Sequence, residues 1–343
     1  MKKVCVIGHF GFGKELLNGQ TIKTKTVTIE LEKQLGKDQV VKIDTHGGAR
    51  VFLGIICKML KAFCYCENII VFPAHNGVRV FVPLCVFLNF LFRRKLHYVV
   101  IGGWIDSFLE QHYVLSKMLK NFTGIYVETQ SMKCALKQRG LSNVVVMPNF
   151  KDIPILKKSE LVYSTLKPYR VCTFSRVMKE KGIENAIDAV KNANAKAGEN
   201  LFTLDIFGQI DTAQVQWFEN LKANFPEYIS YKGLVPFNET VDTLKNYYAL
   251  LFPTYYDGEG FAGTLLDAMA AGIPSIVSDW KYNSEIVVQN ITGILVKPMD
   301  TDALTSALES TLTDSWNAMK GNCIHESYKY IPSIAIQTLI NKL

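Results

Sequence analysis

A chain of 343 residues with 48% hydrophobic and 20% charged residues has the make-up of a globular protein and the length for two domains rather than one core. Its charge of +7 is uneven: residues 1–150 hold 20 Lys and Arg against 9 Asp and Glu, a net +11, whereas residues 151–343 hold 18 against 22, a net −4, so the front half is suited to an anionic partner. The longest apolar run, residues 80–92, contains Pro83 and Asn89 and is short of the roughly 20 residues that span a bilayer; neither an integral membrane protein nor a targeting segment is expected.

Residues 4–8 form an apolar run closed by Gly8, the pattern of a buried parallel strand. The glycine-rich turn 8–13, a polar helix over about 19–35 and a second strand at 40–44 complete a strand–helix–strand unit. The turn reads G-x-x-G-x-G, not the G-x-G-x-x-G of dinucleotide binding, which weakens the reading as an NAD-dependent oxidoreductase, although Asp44 could imitate the acid that holds a ribose. After an apolar stretch at 51–66 carrying Lys58 and Lys61, a strand at 68–72 leads into Pro73-Ala74-His75-Asn76-Gly77. That loop lies at the strand's carboxyl end, where open α/β sheets bind ligands, so His75 is a candidate base; the plainer reading is a cap or surface residue. Residues 78–95 read as a helix ending in Arg93-Arg94-Lys95. Those cations suit its dipole and, with the excess charge around them, also fit contact with an anionic membrane surface. A strand over 97–104 is closed by Gly102 and Gly103, which would let backbone approach an acceptor, with Asp106 the nearest side chain to act on its hydroxyl. Strands at 124–128 and 144–150 around a helix at 131–139 end the first domain, and 151–168 is the linker.

The second half restarts with a strand at 170–174, the loop Ser175-Arg176-Val177-Met178-Lys179-Glu180-Lys181-Gly182 and a helix over 183–197. Arg176 and Lys181 at a strand end suit a diphosphate, to whose oxygens they would donate charge-assisted hydrogen bonds. Strands at 202–208, closed by Gly208, and at 229–233 follow, the latter running into Leu234-Val235-Pro236. Further apolar strands occupy 248–252, 275–278 and 293–296. Asp300-Thr301-Asp302 has the D-x-D form of a metal site, but at the head of a helix over 303–312 it reads as an N-cap. A last helix over about 334–343 is expected to cross back to the first domain. The eight cysteines form no C-x-x-C pair and read as core thiols in a reducing cytosol.

Between the strands 248–252 and 275–278 lies the stretch around which the chain is organised, Pro253-Thr254-Tyr255-Tyr256-Asp257-Gly258-Glu259-Gly260-Phe261-Ala262-Gly263-Thr264 followed by a helix that stops at Gly272-Ile273-Pro274. Its glycines leave backbone N–H groups uncovered at a helix N-terminus, an anion site. Glu259 and Asp267 flank that site. Carboxylates beside a phosphate accept hydrogen bonds from hydroxyls, as sugars and riboses require; the plainer reading has Glu259 favouring the dipole and Asp267 on a solvated helix face.

The spacing P-x-x-x-x-x-E-G-F-x-x-x-x-x-D-A-x-A-x-G-x-P resembles the donor-binding signature of retaining GT-B glycosyltransferases of family 4, with Asp267 where Glu is commoner. The loop with Arg176 and Lys181 is similar to that family's G-R-x-x-x-x-K-G element, with Ser175 replacing the first glycine. The resemblance implies an α/β chain of two Rossmann-like domains facing across a cleft: residues 1–150 with the last helix bind the acceptor, and 169–329 bind the nucleotide sugar. It places Glu259 at the donor sugar, Asp267 at the ribose, Arg176 and Lys181 at the diphosphate, and the base near Val235. Gly208, Gly260, Phe261, Ala262, Gly263 and Thr264 join the donor site, as do Gly11 and Gly13 from the first domain. His75, Gly102, Gly103 and Asp106 form the acceptor side, and the family's histidine near Gly102-Gly103-Trp104 is missing here. The activity implied is metal-independent hexosyl transfer, with retention of configuration, from a donor such as a UDP- or GDP-sugar. The acceptor is a lipid-linked or oligosaccharide glycan of the polysaccharide-biosynthesis type, capsule or O-antigen among them. No cofactor and no nucleic acid are implied; the expected place of action is the cytoplasm, and the basic first half fits its inner membrane face. The rivals are the oxidoreductase above and a non-catalytic nucleotide-sugar-binding module.

Overall fold

The computed structural model describes residues 2–14, 19–47, 51–163 and 166–343; residues 164 and 165 of the linker read from sequence lie outside them. The chain divides into two compact units, Met1–Asp152 with Ile331–Leu343, and Ile153–Tyr330.

Unit 1 holds six parallel strands, β1 (Lys2–Gly8), β2 (Val40–Asp44), β3 (Cys66–Val71), β4 (Lys95–Val99), β5 (Gly124–Val127) and β6 (Val144–Val146), in the order β2-β1-β3-β4-β5-β6. Helices α1 (Gly19–Leu35), α2 (Phe52–Tyr65), α3 (His75–Phe92), α4 (Ile105–Glu110), α5 (Tyr113–Leu119) and α6 (Gln130–Gln138) connect them. The strands are near-continuous apolar runs because a parallel sheet is covered on both faces. Right-handed crossovers put α1 on one face and α2, α3 and α5 on the other, where α3 packs against both α2 and α5. By length and composition α3 alone among the described helices could cross a bilayer. It instead links β3 to β4, which pair in parallel, and turns Val78, Val82, Cys85 and Leu88 inward.

Unit 2 holds β7 (Tyr169–Phe174), β8 (Phe202–Phe207), β9 (Ile229–Gly233), β10 (Ala249–Phe252), β11 (Ser275–Ser278) and β12 (Gly293–Val296), all parallel, in the order β12-β11-β10-β7-β8-β9. Its helices are α7 (Ile183–Ala197), α8 (Val215–Lys222), α9 (Thr240–Leu244), α10 (Gly263–Ala270), α11 (Thr301–Ser310) and α12 (Asp314–Ser327). Cores fill both faces of the sheet: Ile187, Val190 and Leu308 belong to one, and Leu244, Leu265 and Met269 to the other. Residues read as a linker from sequence are held here, since Ile153, Ile155, Leu156 and Leu161 pack on the second core and Leu156 N donates to Ala270 O at 3.0 Å. The last residues form α13 (Pro332–Ala335) and α14 (Gln337–Ile340), whose Ala335, Ile336 and Leu339 lie in the core of unit 1.

The strand order reverses between β1 and β3 in unit 1 and between β7 and β10 in unit 2. At such a switch point the loops at the carboxyl ends of two neighbouring strands diverge to opposite faces and leave a crevice. Arg176, Lys181 and Glu259 follow β7 and β10 at the unit 2 switch point, and Gly11, Gly13 and His75 follow β1 and β3 at that of unit 1.

Candidate active site

In unit 2 glycines let the loop after β7 press against those after β10 and β8. A Cβ on Gly182, at φ +71°, would lie 2.1 Å from Pro253 O, and one on Gly208, at φ +133°, would lie 1.8 Å from Ser175 O. Tyr255 N donates to Glu180 O at 2.8 Å, and Thr264 Oγ1 donates to Phe174 O at 2.5 Å, tying α10 to the end of β7. The result brings Lys181 and Glu259, 78 residues apart, into an ion pair of 2.5 Å with side chains only 12% and 9% exposed. Phe252 and Tyr256 lie under the ammonium, their ring centroids 5.3 and 5.1 Å from Nζ. Thr254 Oγ1 takes the N–H of Tyr256 at 3.2 Å and lies 2.9 Å from the same Glu259 oxygen, Oε2. Two donors thus fix one carboxylate oxygen of Glu259. Beside this pair α10 opens with no side-chain cap and no acid in its first turn, so its leading N–H groups keep the positive end of the dipole for an anion.

The remaining unit 2 candidates lie in differing surroundings. Arg176 turns to Asp211, Nη1 to Oδ2 3.4 Å, with more than half of its side chain in water, and it is not part of the Lys181–Glu259 pair. Asp267 lies on the buried side of α10, not on a solvated face, because the helix is wrapped by core on most of its circumference. Phe261 is buried as well, its ring 5.3 Å from that of Tyr330, so only its backbone is left for a ligand. Ala262 is buried at the N-cap of α10, before Gly263 and Thr264, and Gly260 is half-buried in the preceding turn. Val235 packs against the core just past β9. Asp300 caps α11 by accepting from Ala303 N at 2.9 Å, the N-cap reading of D-x-D.

In unit 1 a cavity of about 360 Å³ opens at the switch point, lined by Gly8, Gln20, Phe72, His75, Asn76 and Phe81 among others. His75 begins α3, with ring centroids 5.1 Å from Trp104 and 4.7 Å from Phe108. This aromatic cluster was not read from sequence; Trp104 follows Gly102 and Gly103 and donates its Nε1–H to Ile101 O at 2.7 Å. Asp106 forms an ion pair with Arg139, which commits it elsewhere. Gly11 and Gly13 stand in the turn after β1, where Lys14 N donates to Gly11 O at 3.0 Å. Asp44 is occupied by that turn, accepting from Phe10, Phe12 and His46 backbone N–H groups at 2.9–3.0 Å. Burial pushes its carboxyl up, but these bonds outweigh it and leave the group below the ordinary carboxylate range. An acid so occupied is not held out for a ribose.

Sequence reading also missed His9 and His46. Lys14 Nζ, His46, His9 and Thr21 form one chain, with 3.2 Å from Nζ to His46 Nε2, 3.0 Å between the rings and 2.7 Å from His9 Nδ1 to Thr21 Oγ1. Burial, then the neighbouring His46, lowers the pKa of His9. The signal available was positional: each histidine follows a strand's carboxyl end.

The model of the family described as Glycosyl transferases group 1 matches residues 157–330, just over half of the chain. The chain is 28% identical over 166 residues to the GtfA subunit of a UDP-N-acetylglucosamine–peptide N-acetylglucosaminyltransferase of Streptococcus gordonii, covering 48% of this chain and 31% of that protein. It is 25% identical over 224 residues to the uncharacterized glycosyltransferase MJ1069 of Methanocaldococcus jannaschii, covering 60% and 51%. The chain therefore spans about a third to a half of the length of these relatives. Among solved structures it is similar to Anabaena Alr3699/HepE in complex with UDP, with a TM-score of 0.77 over 99% of this chain and 98% of that one at 15% identity. A sucrose-phosphate synthase from Thermosynechococcus elongatus gives 0.75 over the same shares at 16%. These likenesses give the fold as GT-B, two Rossmann-like domains. With the motif-bearing half of the sequence matched throughout, the chain belongs to the family of group 1 glycosyl transferases.

Proposed function

We propose that the chain transfers a hexose-type sugar from a nucleotide sugar to a glycan or lipid-linked acceptor, with retention at the anomeric carbon and without a metal ion. The observation that carries this reading is the Lys181–Glu259 pair beside the uncapped N-terminus of α10, at the switch point of unit 2. A diphosphate on the leading N–H groups of α10 draws the Lys181 ammonium to its oxygens. Glu259 is then released to accept hydrogen bonds from sugar hydroxyls while Thr254 keeps it in place. As the glycosidic bond breaks, charge grows on the leaving phosphate, where Lys181, Arg176 and the helix dipole stabilise it; a departing group so neutralised calls for no divalent cation. Attack by the acceptor hydroxyl on the face the leaving group vacates gives retention, its proton passing to the departing phosphate oxygen as the sugar–phosphate bond breaks. The UDP in the solved Anabaena neighbour and the UDP-sugar named for the streptococcal relative support UDP over GDP.

The enzyme works in the cytoplasm at the inner membrane face, where a lipid-linked acceptor of capsule or O-antigen type is made. On this reading the acceptor sugar enters the unit 1 cavity beside His75, whose ring neighbours that of Trp104. The test is a panel of UDP- and GDP-sugars with oligosaccharide and lipid-linked acceptors, scored by release of nucleoside diphosphate. A UDP-sugar is expected to turn over in the presence of chelator, and Glu259→Gln to lower kcat about a hundredfold or more with an unchanged unfolding profile. Near-normal turnover in that variant refutes the role of Glu259. Binding of NAD in place of a nucleotide sugar returns the oxidoreductase reading, and donor binding without release under every acceptor returns the binding module.

A further inference from the structure

We infer that α2, α3 and α5 form the face by which unit 1 lies on an anionic bilayer. The three helices share one side of the sheet, with α3 in contact with both others. Their outward side chains are large and apolar where a solvated face is normally polar. Leu53 and Tyr65 stand out from α2, Phe87, Phe90 and Leu91 from α3, and Tyr113 from α5, with Phe90 85% exposed. The ends of α2 and α3 are locked together, because Arg94 donates from Nε to Phe63 O at 2.8 Å and from Nη2 to Cys64 O at 3.2 Å. Tyr65, Phe90 and Leu91 therefore project from one edge.

Charge identifies the occupant. Lys58, Lys61, Arg93 and Lys117 are exposed among these apolar groups. From residue 45 to residue 105 the sequence has a single carboxylate, Glu67, whose Oε2 is 3.4 Å from Lys3 Nζ. Exposed apolar patches of this kind mark interaction surfaces. Beside α5 the exposed Glu110 is 3.7 Å from Arg139. Protein–protein interfaces are depleted in lysine, whereas apolar groups with interleaved lysines and few acids are what acyl chains and anionic headgroups both favour. The placement deepens the reading of a membrane-borne acceptor, and its purpose rests on that reading.

The experiment is flotation of the full chain with phosphatidylcholine vesicles and with vesicles that also contain phosphatidylglycerol, alongside nucleotide release from a UDP-sugar with a soluble acceptor. Retention only on the anionic vesicles, weakened by salt, is expected. Both Lys58→Glu/Lys61→Glu and Phe90→Ser/Leu91→Ser should lower retention about tenfold or more while nucleotide release is unchanged. Substituting exposed positions leaves the core intact, and an unchanged thermal transition checks this. Equal retention of wild type and both variants, or equal retention on the two vesicle types, overturns the assignment. So does a wild-type dimer that both variants dissolve, which makes the face an interface between copies. Failure of nucleotide release in the wild type with vesicle retention intact defeats the catalytic reading alone.

Discussion

Thr254 is the residue on which the placing of Glu259 depends. It is fully buried, it is fixed by the N–H of Tyr256, and its hydroxyl lies 2.9 Å from Glu259 Oε2. Valine has the same shape and no hydroxyl. A lost hydrogen bond to a charged group costs about 1.5–3 kcal/mol, so Thr254→Val should lower kcat/KM roughly ten- to a hundredfold, with Thr254→Ser recovering most of it. Steady-state nucleotide release checks this, and a valine variant equal to wild type shows that Glu259 is held by Lys181 alone. The sequence marked Glu259 and Lys181 separately, because each belongs to a motif at a strand end, but not that they meet. Nothing local in either motif encodes a partner 78 residues away. The plainer reading of Asp267, on a solvated helix face, is excluded by its burial: helical spacing says which residues share a face, whereas which faces are covered is decided by the elements packed around α10.

At the scale of elements, the strands were the most legible part, since buried parallel strands are short apolar runs ended by glycine or a polar turn. The helix at 78–95 was shifted: it runs His75–Phe92, stopped by Arg93 in the left-handed region, and β4 begins at Lys95 and ends at Val99. The short or polar helices α4, α5, α8, α9 and α12 were not read, because a five-residue helix such as α9 or a mixed polar run such as α12 carries almost no period. One side chain clasps three strands: His97 of β4 lies 3.1 Å from Asn68 Oδ1 of β3 and 3.0 Å from the Tyr126 hydroxyl of β5. Burial, reinforced by Lys95 and Lys342, lowers its pKa from 6.5 to about 3. The folded state therefore holds it neutral while the unfolded chain takes up a proton below 6.5, and stability is lost as pH falls from there towards 3. At pH 5 this one group should cost about 2 kcal/mol relative to neutral pH. Urea unfolding of wild type and His97→Gln should show the variant weaker at pH 7.5 but with a shallower loss in acid; parallel losses would remove His97 as the cause.

For the whole molecule, the two parallel sheets and the GT-B fold were legible because the motifs recur at strand ends in both halves. Unit 1 is completed by the last thirteen residues, Ile331–Leu343, through Ala335, Ile336 and Leu339, each 3% exposed or less, against the core that includes Val27 and Leu31 of α1. Fully burying a large aliphatic side chain contributes about 1.5–3 kcal/mol, so removing residues 331–343 should weaken unit 1 by several kcal/mol. Hydrogen exchange is the measurement: amides of β1 and α1 should lose protection while those of β7 and β10 keep theirs, and equal losses in both would show that the segment serves the entire chain. The same return of the chain sets a timetable for synthesis. A ribosome delivers residues 331–343 only after every residue of the second unit, so the first waits with an apolar flank open to water for the time needed to translate some 180 codons. Nascent-chain chaperones should therefore dwell longest on the product in that interval and leave it when the final turn docks.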